Sequence, residues 1–160
     1  MPTPQFILDL REHIGTATLF LPGVTTVVFD DRDNPSQVLL GRRADDRRWH
    51  LPGGIMEPGE QPASAMVREV LEETGVVVAI DRLISLFTLP PASYPNGDQV
   101  QFLRCSFRAH YVSGDAHVAD DESTAVGWYD LDQLPGDLPQ RDRELIKLAL
   151  PVEGEPYFER

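Results

Sequence analysis

Glu69, Glu72 and Glu73 fall at i, i+3 and i+4 within a segment, Gln61 to Thr74, whose composition predicts a helix. At about 100° of rotation per residue, that spacing puts the three carboxylates on neighbouring positions of one face. Like charges so placed repel by about a few tenths of a kcal/mol per pair, so the face is either solvated or neutralised by cations. Hard oxygen donors in this number suit magnesium or manganese, which bind a few carboxylates together with waters and phosphate oxygens. A solvated glutamate-rich face is the bland alternative, and the residues upstream weigh against it. Leu51-Pro52-Gly53-Gly54 and Glu57-Pro58-Gly59-Glu60 form a loop whose glycines let backbone approach a ligand or metal closely. Taken alone, these are ordinary turns; placed before a carboxylate-bearing helix they make a phosphate-site pattern.

Those side chains need a frame. The helix carrying them has Pro62 in its first turn and Gly75 as its left-handed exit. A short helix is expected over residues 5–14, where Phe6, Ile7, Leu10 and Ile14 recur near the helical period and Gly15 follows. Val24 to Phe29 and Val38 to Leu40 read as strands joined by a polar turn. The aspartates of that turn resemble the opening of a calcium loop, but Ser36 stands where the required glycine would be and Arg42 where the closing glutamate would be. Val76 to Ile80 and Leu83 to Leu89 read as strands or their flanks. A proline-rich loop, Pro90 to Asp98, then leads into a strand over Val100 to Val112, and the two flanking runs form a hairpin-like pair. A short strand around Val126 to Tyr129 and a terminal helix from Arg141 to Leu150 complete the order. This order predicts an α/β fold with a mixed sheet flanked by helices, in one domain spanning residues 1–160.

Composition narrows the chemistry. A net charge of −12 and a pI near 4.6 oppose binding to the nucleic-acid backbone, so no bulk nucleic-acid partner is expected. An acidic protein can still take a small phosphorylated ligand when divalent cations bridge the two sets of negative charge. No apolar run approaches a membrane span, and Met1-Pro2-Thr3-Pro4 lacks the start of a signal peptide, so no membrane partner is expected and the cytoplasm is the default location. The one cysteine, Cys105, sits inside a strand pattern, where a packed thiol is favoured over a nucleophile or a zinc ligand.

Gly54-x5-Glu60-x7-Arg68-Glu69-Val70-x-Glu72-Glu73-x-Gly75-Val76 resembles the signature box of the Nudix hydrolase family at every defined position, over residues 54–76. Trp49-His50-Leu51-Pro52-Gly53-Gly54 is similar to the family's approach to the box, and Val126-Gly127-Trp128-Tyr129 through Leu134-Pro135 to its closing strand and turn. The resemblance implies an α/β/α sandwich with a mixed β-sheet, and a magnesium- or manganese-dependent hydrolase. Its substrate would be a small nucleotide-type molecule, cut at a diphosphate linkage. It further implies that Glu69, Glu72 and Glu73 bind the metal, with the Gly54 carbonyl as a further candidate ligand. Arg68 would orient a carboxylate through its bidentate fork, Glu60 or Glu69 being the candidate partners. Many relatives are dimers, so a homodimer is admitted. A catalytically inactive nucleotide-sensing module of the same fold is the rival reading, disfavoured because all three glutamates remain; an isomerase is a more distant one.

The general base stays open between Glu69 and Glu122, the latter on an acidic loop just before the closing strand. Substrate selection must come from outside the box. Arg42, Arg43, Arg47 and Arg48 crowd together just ahead of the glycine-rich loop and form the best phosphate-attracting patch, with Arg42 and Arg43 as substrate-binding candidates. Tyr94, in the proline-rich loop, could stack on a base or sugar, although Asn96-Gly97 is equally good turn chemistry. Pro90 resembles a proline of family members that cut ADP-ribose; Tyr94 resembles a tyrosine of others.

Overall fold

The computed structural model describes residues 3–94 and 96–158. Met1, Pro2, Glu159, Arg160 and Pro95, the last within the proline-rich loop, lie outside the described residues. The elements run α1 (Gln5–Ile14), β1 (Leu19–Phe29), β2 (Gln37–Arg43), β3 (Trp49–His50), β4 (Gly53–Ile55), α2 (Pro62–Thr74), β5 (Val77–Thr88), β6 (Ala92–Ser93), β7 (Gln99–Ser113), β8 (Ser123–Asp130), α3 (Gln140–Ala149) and β9 (Tyr157–Phe158).

The seam of the sheet is the parallel pair β1 and β7, in register from Leu19 opposite Val100 to Phe29 opposite His110. A strand buried on both faces needs apolar residues at consecutive positions, and Val24 to Phe29 supply them. The two threonines inside that run are satisfied: Thr25 Oγ1 donates to the Pro52 carbonyl and Thr26 Oγ1 to the Phe107 carbonyl. From this seam the sheet extends in the order β3-β2-β1-β7-β5-β9, with β4 also on β1, β6 on β7 and β8 on β2. It is mixed: β5 and β9 are parallel, while β2, β4, β6 and β8 join antiparallel.

Side-chain alternation sorts the core into two layers. Val24, Val28 and Leu39 pack with Ala65, Met66 and Val70 of α2 on one face. Val27, Phe29, Val38 and Leu40 pack with Leu145, Ile146 and Ala149 of α3 on the other. The result is an α/β/α sandwich. α1 sits at the entry end of β1, its Ile7 against Leu21 and Val100. No helix among the described residues is long and apolar enough to cross a membrane.

Three local features differ from or extend the sequence reading. The two runs either side of Asp81-Arg82 form one strand, β5, with register shifts against β7. The polar dipeptide looked like a break, yet Asp81 is buried as the partner of Arg108, whose guanidinium is fully enclosed. The calcium-like turn spends its carboxylates on its own backbone: Asp31 Oδ1 accepts from the amides of Asp33 and Asn34, and Asp30 Oδ1 from those of Ser36 and Gln37. Cys105 is half-buried against the α2-side core, and burial pushes its thiol pKa up.

Candidate active site

The glycine-rich loop delivers the chain to α2 through β4, which lies against β1 with Gly54 opposite Val24 and Gly53 opposite Thr25. Close approach is the reason for glycine here. A Cβ on Gly54 would stand 2.3 Å from the Glu69 carboxyl carbon, so this position leaves the Glu69 carboxylate against bare backbone. At the other end of α2, Gly75 takes a left-handed φ of 71° and its amide donates to the Leu71 carbonyl. The segment after β7 then folds over that helix end, with the His117 amide on the Thr74 carbonyl and the Ala119 amide on the Glu73 carbonyl. This brings Asp120 and Glu122 towards the carboxylates of α2.

α2 buries Glu69 at 2% exposure and half-buries Glu73, while Glu72 is exposed. Burial pushes the Glu69 carboxyl up to about 7, against the pull of Arg68. Burial, then the Glu69 charge, pushes Glu73 up to about 8, opposed by the hydrogen bond from the Gly53 amide and reinforced by Asp120 and Glu122. Both acids thus resist ionising, Glu69 chiefly through burial and Glu73 through burial and the Glu69 charge. Arg68 takes a bidentate grip on Glu60, Nε to Oε1 at 2.7 Å and Nη2 to Oε2 at 2.9 Å. Its Nη1 reaches Glu69 Oε1 at 3.0 Å and Glu72 Oε2 at 2.9 Å. Both expected partners of Arg68 are therefore engaged, and Glu72 is added. The hard oxygen donors fit a divalent cation in kind, with Glu69 and Glu73 as the carboxylates that line the cleft. Among the described residues no three acid, histidine or cysteine side chains are already gathered into a metal cage, and Arg68 is what holds Glu72 aside.

These groups open onto a cleft of about 430 Å³. Glu69, Glu73, Glu122, Gly54, Arg43 and Tyr94 all line it. Arg43 lines it from the same face of β2 as Gly41, two residues back, with a register shift against β8 at this strand end. It is braced by Asp45, and that hydrogen bond, with Glu122 and Glu73 nearby, holds its pKa above the ordinary arginine value. Arg42 is a correction to the sequence reading. It is exposed, does not line the cleft, and donates from Nε to the Arg47 carbonyl at 2.8 Å, because neighbouring strand residues face opposite sides. Arg47 and Arg48 are also exposed outside the cleft, with Arg48 Nε on the Asp137 carbonyl. Tyr94 lies half-exposed beside a tight turn in which the Gly97 amide donates to its carbonyl, so turn chemistry and cleft position coexist there. Pro90 is exposed and away from the cleft.

A family model described as NUDIX domain matches residues 19–149. The chain belongs to that family. A MutT-like protein of Streptomyces ambofaciens is 36% identical over 114 residues, which are 71% of this chain and 66% of that protein. The 8-oxo-dGDP phosphatase NUDT18 of Mus musculus is 30% identical over 146 residues, 91% of this chain but 41% of its own length. The crystal structure of a MutT NUDIX hydrolase from Burkholderia pseudomallei superposes with a TM-score of 0.59 at 28% identity, covering 81% of this chain and 98% of that one.

Beyond the family's box, the cleft recruits residues the sequence reading passed over: His50, Phe102, Arg104, Arg141 and Asp142. Asp142 is buried in the first turn of α3, where its Oδ2 accepts from the Leu51 amide and lies 3.4 Å from His50 Nδ1. Burial disfavours the His50 cation, but Asp142 and Asp46 outweigh it and raise the imidazole pKa. The one sequence signal for this pair was an acid in the opening turn of a helix, which is common on surfaces and carries no site information.

Proposed function

We propose that this Nudix-family chain hydrolyses the diphosphate linkage of a nucleoside diphosphate derivative by attack of water on phosphorus, with magnesium or manganese as the cofactor. The observation that carries this reading is the pairing of Glu69 and Glu73, two inward carboxylates at the mouth of a glycine-lined turn, with an arginine-bearing cleft wall. Bound there, a divalent cation would neutralise phosphate oxygens and lower the pKa of a coordinated water. The chain's own part is positioning. Arg68 fixes the side chains of Glu60 and Glu69, the Gly53 amide holds Glu73, and Arg43 supplies positive charge opposite them. Glu69 and Glu122 both line the cleft as candidate bases for the attacking water. The mouse relative's name supports a nucleoside diphosphate as the kind of molecule bound. The half-exposed Tyr94 and the Phe102 ring provide apolar surface for a base or sugar.

Product release should be screened over nucleoside triphosphates, nucleotide sugars, ADP-ribose, dinucleoside polyphosphates and 8-oxo-dGDP, with and without magnesium. At least one should be cut in a metal-dependent way, and Glu73→Ala should lower that turnover about 100-fold or more. No release above the metal-free blank from any of them, or full turnover in both Glu72→Ala and Glu73→Ala, would rule the reading out.

A further inference from the structure

The cleft holds a cation that the fold itself does not use. Other buried or half-buried arginines are matched with acceptors: Arg108 to Asp81 and the carbonyls of Ala149 and Arg32, Arg68 to its carboxylates, Arg43 to Asp45. Arg104 on β7 is half-buried, its Nε is enclosed, and among the described residues its guanidinium makes no hydrogen bond or ion pair. A donor left unpaired in such a place costs more than a neutral group would, and a charged one costs most. Its surroundings do not repair this. Burial and the neighbouring Arg141 cation lower its pKa to about 10, and the Asp142 carboxylate that pulls the other way is occupied by His50 and the Leu51 amide. Gly23, its register partner on β1, has no side chain to cover it, so the guanidinium faces open cleft. Arg104, Glu69 and Glu73 line one cleft, and Gly23, the register partner of Arg104, also neighbours the Gly54 that abuts the Glu69 carboxylate.

We propose that Arg104 anchors the substrate's phosphate chain, binding a non-bridging phosphate oxygen in the cleft that Glu69 and Glu73 also line, with Arg141 beside it. This rests on the hydrolase reading and adds to it the side chain that would hold the phosphate chain in place. Arg104 is kept for its ligand at a cost to the empty protein.

The test uses the full chain and inorganic pyrophosphate as probe, titrated calorimetrically in EDTA so that carboxylate-bound metal plays no part. Wild type should bind, Arg104→Gln should bind roughly ten- to hundredfold more weakly, and Arg104→Lys should recover part of the loss. The ligand-free melting temperature of Arg104→Gln should equal or exceed that of wild type, which a structural arginine would not allow. On any nucleotide that the enzyme turns over, Arg104→Gln should raise KM roughly tenfold or more and leave kcat within a few-fold. Three results would overturn the proposal. They are no pyrophosphate binding by wild type, equal binding by wild type and Arg104→Gln, or loss of affinity for an uncharged nucleoside while pyrophosphate binding is kept. Because the titration needs no turnover, its failure is separable from failure of the hydrolase reading.

Discussion

Glu73 carries the clearest consequence at the scale of single residues. Burial and the Glu69 charge hold its pKa near 8, and burial holds Glu69 near 7, both above the ordinary carboxylate value of 4.5. An acid whose pKa is raised by folding favours the folded state while protonated, so its contribution is full below about 4.5 and is lost as pH rises through its folded pKa. His50 has the same sign, since a raised histidine pKa gives stability below 6.5 that disappears above the folded value. The depressed acids Asp30, Asp45 and Glu60 act in the opposite sense, and only at the acid end, below 4.5. The metal-free protein should therefore lose melting temperature steadily from about pH 5 to pH 8. Glu73→Gln should flatten the upper part of that slope, and millimolar magnesium should restore stability mainly at the alkaline end. Thermal melts in EDTA across this range check it; an unchanged slope in Glu73→Gln would refute the assignment.

At the scale of elements, α2 is the piece whose ends matter. Its exit at Gly75 does two jobs: the left-handed φ stops the helix, and the missing side chain leaves room for the His117 ring, which a Cβ would meet at 2.1 Å. Gly75→Ala should thus cost more than the backbone penalty of about 1–2 kcal/mol and unseat the segment that carries Asp120 and Glu122. The expected result is a lower denaturant midpoint together with reduced turnover. A variant with a wild-type midpoint would show that the helix end tolerates a side chain. α2 was readable to within one residue because Pro62 and Gly75 are strong local signals. β3, β4, β6 and β9 were not, since strands of two or three residues contain no period to detect.

Across the whole molecule, one buried network joins distant parts of the chain. Arg108 on β7 pairs with Asp81 on β5 and donates to the Arg32 and Ala149 carbonyls, while Asp81 also takes Arg32 and His110. The β1–β2 turn, the central sheet and the end of α3 thus meet at one guanidinium, over the Phe29 ring. Removing Arg108 takes away the enclosed cation and leaves Asp81 with the more exposed Arg32 and His110, so Arg108→Ala should destabilise by about 3 kcal/mol. The double variant Arg108→Met with Asp81→Leu should recover much of that. Urea unfolding of the three proteins checks this, and a single variant as stable as wild type would mean that the network carries little of the fold.

Local signals in the chain were enough for the family's box, the α/β class and the helix that carries Glu69, Glu72 and Glu73. These depend on residues close in sequence, whose geometry follows from helix period and turn chemistry. The structure turns Glu69 and Glu73 to the cleft and leaves Glu72 exposed on Arg68. Only the tertiary structure showed that Arg43 and not Arg42 faces the cleft, because which face of β2 turns towards it depends on what the strand packs against. Only it brought Arg104, Arg141, His50 and Asp142 to the same opening, since they come from β7, α3 and β3 and meet through the parallel pairing of β1 with β7 and the packing of α3. Long-range pairing carries no local period, so a side chain's partner across the sheet is invisible until the strands are in register.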